Sequence, residues 1–142
     1  MSDLYERDIV LWSEQQAALL RRIEAGEAVN ERPDWPNLID EVESVGREQI
    51  HAVESLLVQT VLHRLKAQAR PHSREARHWP REARGFQSEA AARFTPSMRS
   101  RIDMAKIWRR VLVQFPGEID GQPPETLPDA CPWPLDALVA EP

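Results

Sequence analysis

Three polar residues fall on or beside faces that a helical reading makes apolar. Asp8 lies between Tyr5 and Trp12, Glu41 is one turn from Leu38 and Val45, and His63 projects near Leu56 and Thr60. A carboxylate in such a place must find a partner or take up a proton, because an unpaired buried charge is costly. His63 and Arg47 or Arg64 are the candidate partners. Glu48-x-x-His51 and Glu75-x-x-His78 have the spacing that di-iron bundles use. The first pair, however, falls opposite Val42 and Val53, on the polar side of its helix, so no metal is expected. A basic row is better formed: Arg70, Arg74, Arg77, Arg81 and Arg84 repeat at 4-3-4-3, opposite Trp79 and Phe86 wherever the segment is helical. Such a row can meet phosphates, with His72 and His78 joining it, or it can be a solvated face paired with acids. Cys131 sits before Pro132-Trp133 with no His nearby in sequence, which reads as packing. No Walker A, G-x-G-x-x-G, G-x-S-x-G or H-E-x-x-H pattern is present. No catalytic residue and no cofactor are assigned.

The element that must position these residues is the stretch from Trp35 to Ala69. It has no proline after its second residue, and Val53 to Leu65 is the most apolar part of the chain. At 100° per residue Ile39, Val42, Ile50, Val53, Leu57 and Val61 share one side, and Val58, Leu62 and Leu65 widen the apolar surface. That pattern predicts a central helix with neighbours on several sides. Gly46 inside it predicts a bend or a close helix contact, since glycine there costs about 1 kcal/mol against alanine. An earlier helix, capped by Ser2 or Asp3, carries Tyr5, Ile9, Trp12, Leu19 and Ile23 at 3-4 spacing and stops at Gly26. Asp34 before Trp35-Pro36 caps the central helix, and Thr95-Pro96 opens a last one. The expected helices cover about 3–25, 35–69, 78–94 and 96–115, the third starting near His78, or at Ser73 with a kink at Pro80.

From residue 116 the composition changes. Seven of the twelve prolines lie in the last 27 residues. This predicts an extended strap over 116–142 and not a fifth long helix. Ile119, Leu127, Cys131, Trp133, Leu135 and Leu138 are too many apolar groups to leave in water. Cys131 and Trp133 are the expected anchors, docking on the first two helices. The fold expected for residues 1–142 is a single all-α domain, a four- to five-helix bundle around a long central helix with the strap packed on it.

One cysteine excludes an internal disulfide framework and points to a reducing compartment. No apolar leader and no run approaching about 20 apolar residues is present, so a cytoplasmic protein without a membrane partner is expected. Charge is segregated. Residues 1–62 hold 5 basic and 13 acidic side chains, a net of −8, and residues 63–110 hold 13 basic and 4 acidic, a net of +9. Residues 111–142 hold 6 acids and no Lys or Arg. Either the two signs screen one another, or the basic middle meets an anionic partner.

Leu4-Tyr5-Glu6-Arg7-Asp8 with Trp12, Asn37-Leu38, Asp40 to Gly46, His63-Arg64-Leu65-Lys66, Trp79 and Pro128 to Trp133 together resemble the DUF29 family, a bacterial domain of unknown function. The resemblance runs from about residue 4 to 139, departs at Pro80, and implies an all-helical fold with no activity to transfer. Its motifs contain Asp8, Glu41 and His63, so these three are expected to share a buried polar cluster, either structural or a ligand pocket. The expected function is a small protein-interaction or regulatory module with a protein partner. A nucleic-acid-binding regulator using Arg70–Arg84 is the alternative, and an enzyme or ligand-binding protein using the polar cluster comes third. The oligomeric state is left open.

Overall fold

The computed structural model describes residues 4–124 and 126–142. Among these the chain is all-helical, with α1 (Leu4–Arg7), α2 (Ile9–Glu24), α3 (Trp35–Ala69), α4 (His78–Arg93), a single 3₁₀ turn at Pro96–Met98, α5 (Met104–Gln114) and α6 (Leu135–Leu138). The sequence reading treats the chain as one domain. The structure divides it into two compact units, one up to Arg47 and one from Glu48 onward. The central helix α3 contributes its first part to the former and the rest to the latter.

In the first unit the expected helix over 3–25 is two helices, because Asp8 leaves helical geometry (φ −155°, ψ 84°) and caps α2. Its carboxylate accepts from the Leu11 N–H at 3.1 Å, satisfying one of the donors a helix start leaves orphaned. The expected caps Ser2 and Asp3 lie outside the described residues. At the other end Gly26 (φ 81°) and Glu27 donate to the carbonyls of Ile23 and Arg22, the paired closure that a left-handed glycine makes possible. Asp34 ties α2 to the start of α3. Its N–H donates to Gln16 Oε1 at 2.8 Å, and its carboxylate accepts from Asn37 Nδ2 at 2.8 Å and Trp12 Nε1 at 2.9 Å. The hydrogen bond from Asn37, then that from Trp12, holds the Asp34 carboxyl below its ordinary value.

The second unit holds the apolar core. Val53, Leu57, Val58, Val61 and Leu65 of α3 are buried with Ile107, Trp108 and Val111 of α5, Ala90 of α4 and Leu138 of α6. Each large side chain so buried stabilises by about 1.5–3 kcal/mol. The third expected helix, 78–94, appears as α4. Pro80 occupies its third position, where no intrahelical donor is required, so the helix runs through it unbroken. The fourth, 96–115, is corrected. Pro96–Met98 forms only a 3₁₀ turn, and Asp103, accepting from the Ala105 N–H at 2.9 Å, restarts the chain as α5. Met98 and Ile102 are buried nonetheless, so apolar spacing at 98 and 102 runs on into α5 without marking the break.

Gly46 produces neither break nor close approach. α3 is helical throughout, and a Cβ at position 46 would meet no atom within 4 Å. The strap is mostly irregular. Asp120 and Gly121 (φ 54° and 78°) make a tight two-residue turn between Ile119 and Gln122, the geometry that an Asp-Gly pair favours.

A candidate docking groove in the first unit

A helical hairpin of α2 and the start of α3 has few places to hide apolar side chains. Trp12 and Leu19 are buried there, but Ile9, Val10, Leu11, Ile23, Trp35, Ile39, Val42 and Val45 remain exposed. Among the described residues only Leu112 and Val113 join them as exposed large hydrophobics, so eight of ten fall between residues 9 and 45. Val42 and Val45 are 74% and 63% exposed. Between the helices runs a groove of about 260 Å³. Ser13, Gln16, Ala17 and Leu20 line one wall, Leu38, Val42 and Val45 the other, with Trp12 and Glu41 also facing it. The sequence reading puts Ile39 and Val42 on the core face of α3. Their periodicity is right, but among the described residues of the first unit none covers Ile39 or Val42.

Glu41, on the groove wall, accepts a hydrogen bond from the Tyr5 hydroxyl, and the Tyr5 ring stands edge-on to Trp12 at 4.8 Å. The bond to Glu41, with desolvation and the charges of Glu41, Asp40 and Asp34, pushes the Tyr5 phenol up to about 12. Glu41 thus places a carboxylate on the groove wall.

The buried cluster expected of Asp8, Glu41 and His63 is not what these residues form. Asp8 is exposed and spent on capping α2. Glu41 is half-buried against Tyr5. His63, half-buried in the second unit, bridges α3 to α4: Nδ1 lies 2.7 Å from the Gln59 carbonyl and Nε2 3.0 Å from Glu82, with Phe86 beside the ring. Each has its own local partners, which the shared apolar phasing could not reveal.

The basic row is also broken. Residues 70–77 are turns, closed by Ser73 N–H to Arg70 O and Ala76 N–H to Ser73 O, so the 4-3-4-3 spacing describes a helix only from Arg77 onward. Arg77, Arg81 and Arg84 share the α4 surface, while Arg74 lies on the preceding turns. All four are exposed and make no ion pair among the described residues. Arg70 is half-buried, with its Nε unpartnered.

The strap docks within the second unit, though its deepest anchor is Leu138, fully buried, and not Trp133 or Cys131, which are half-buried. Trp133 takes the Arg64 guanidinium over its ring at 5.2 Å. With Met104 and Trp108 of α5 it lines a cleft of about 610 Å³, a neighbour that the sequence reading did not assign. This larger cleft is the seam between strap and α5, walled by the side chains that hold the strap. Burial pushes the Cys131 thiol up, and its Sγ lies 3.3 Å from the Trp133 carbonyl, so it behaves as a packing group. Sequence reasoning missed Gln87, which is buried, accepts from Arg64, and donates to the carbonyls of Ala137 and Ala140 at 3.2 and 2.8 Å. It also missed buried Glu54, whose cation is Lys106 at 4.0 Å. Nothing in the local sequence marks either.

The profile described as "Domain of unknown function DUF29" matches residues 4–142. The chain belongs to the DUF29 family. A crystal structure of an alpha-helical protein of unknown function from Rhodospirillum rubrum is similar at 26% identity, covering 99% of this chain and 92% of that one, with a TM-score of 0.67. No curated protein matches the chain. The all-helical architecture is thus shared with that solved structure, and neither description carries an activity. No helix among the described residues is long and apolar enough to cross a membrane.

Proposed function

We propose that this DUF29 protein is a protein-interaction module that docks a partner on the apolar groove of its first unit. The observation that carries the reading is the concentration of exposed large hydrophobics at residues 9–45, while the second unit covers its own core and even its strap. Scattered exposed apolar residues are ordinary, but Val42 and Val45 stand exposed on the wall of a groove between two helices, the setting of an interaction surface. The test is a photoreactive side chain placed at position 42 of the full chain, in cells that make the protein. A discrete cross-linked protein is expected at position 42 and not at the still more exposed position 113. It should vanish when Leu20→Ser is added. Equal cross-linking at both positions contradicts the reading.

A second reading, nucleic-acid binding, is supported by Arg74, Arg77, Arg81 and Arg84 standing exposed without acidic partners among the described residues. It requires duplex affinity to fall by about 0.9 log units per log unit of salt for each phosphate contacted, with a slope reduced in Arg77→Glu/Arg81→Glu. An unchanged slope removes it.

A further inference from the structure

We infer that the groove's occupant is a basic amphipathic helix of the partner. This rests on the docking reading and names the chemistry that would satisfy it. Each wall spans two helical turns, from Ser13 to Leu20 on α2 and from Leu38 to Val45 on α3, roughly 10 Å at 1.5 Å per residue. That length fits apolar anchors at i, i+3 or i+4, and i+7 of a docked helix, and small Ser13 and Ala17 let its backbone come close. An extended strand has no open sheet edge to join here, since none of the described residues forms a named strand.

Charge selects among helices. Residues 1–47 hold 11 acidic and 5 basic side chains. Arg47 and Arg22, two of those five, are already engaged: Arg47 with Asp40 at 3.4 Å and Glu43 at 3.6 Å, Arg22 with Glu27 at 3.0 Å. Glu41 lines the groove itself, while Glu14 on α2 carries no cation among the described residues. A second copy docking through the same face would bring two net-negative units together, which like-charge repulsion disfavours. An anionic lipid surface meets the same obstacle. A helix with Lys or Arg flanking an apolar stripe gains on both counts.

The test uses the full chain and two designed peptides of about 18 residues, five helical turns. Both carry Leu at i, i+3/i+4 and i+7 positions, one with Lys and the other with Glu at the flanks. The Lys peptide should bind at least about tenfold tighter than the Glu peptide at low salt, with the difference shrinking as the Debye length shortens. Val42→Ser/Val45→Ser should lose about tenfold in Lys-peptide affinity with helical content unchanged, since both sites are exposed and Ser matches Val in helix propensity. Equal binding of both peptides, each weakened by the double substitution, overturns the charge selectivity and leaves the docking reading standing. Lys-peptide binding that ignores the double substitution overturns the inference, as does no binding at all. A concentration-dependent dimer abolished by the substitution would assign the groove to a second copy, and substitution-sensitive binding to phosphatidylcholine/phosphatidylglycerol vesicles would assign it to lipid. Either result overturns the inference.

Discussion

Tyr5 is the chain's only tyrosine, so its ionisation can be followed alone through tyrosinate absorbance. Its phenol is raised from 10.0 to about 12, chiefly by the bond to Glu41. A group whose folded value is raised contributes stability that is complete below the unfolded value and is lost as pH rises through the folded one. The Tyr5–Glu41 tie should therefore hold below pH 10 and fail towards pH 12. In Glu41→Gln the titration should move back towards 10; an unmoved midpoint would mean that the bond does not set it. Gly46 makes a second residue-scale case. It sits in an exposed helix interior with open space around its missing Cβ. Gly46→Ala should raise stability by about 1 kcal/mol in denaturant unfolding, whereas a loss would mean that the position is needed for an approach the free chain does not show.

At the scale of elements, the strap is held by Leu138 in the core, by Gln87 bonded to the carbonyls of Ala137 and Ala140, and by Trp133 under Arg64. Leu138→Ala should lower stability by about 2–5 kcal/mol, the range for emptying a packed core site. Trp133→Ala should cost less, because that side chain is already partly exposed, whereas Leu138 is fully buried. The reverse order in thermal unfolding would restore Trp133 as the principal anchor. The elements were legible unevenly, for physical reasons. α3 and α4 follow from periodicity, and Gly26 marks its turn. Asp8 and Asp103 each interrupt a helix that the apolar spacing carries straight through, because a side-chain cap competes with the backbone without disturbing which residues are buried. The strap's apolar content announced docking, but not that Leu138 would go deepest, since depth depends on which neighbours leave room.

Over the whole molecule, the sequence showed the acidic start and basic middle; the basic middle lies in the second compact unit, while the acidic start spans the first unit and the opening of the second. The candidate site was the least legible part. Val42 and Val45 carry the same periodicity as Val53 and Leu57, and a helix face bound for a partner is written in the same residues as one bound for the core. Only the exposure of the folded chain separates them. The supposed Asp8, Glu41 and His63 site failed for the converse reason: shared apolar phasing does not bring residues together, since Asp8 caps α2 while Glu41 and His63 lie about six turns apart along α3. The central claim, that the groove between α2 and the start of α3 is the docking surface, is tested most directly by mapping amide chemical shifts of the full chain as the leucine-lysine helix is added. Shifts are predicted along Ser13–Leu20 and Leu38–Val45. Shifts centred instead on Trp108 and Trp133 at the strap cleft, or none in the first unit, would contradict it.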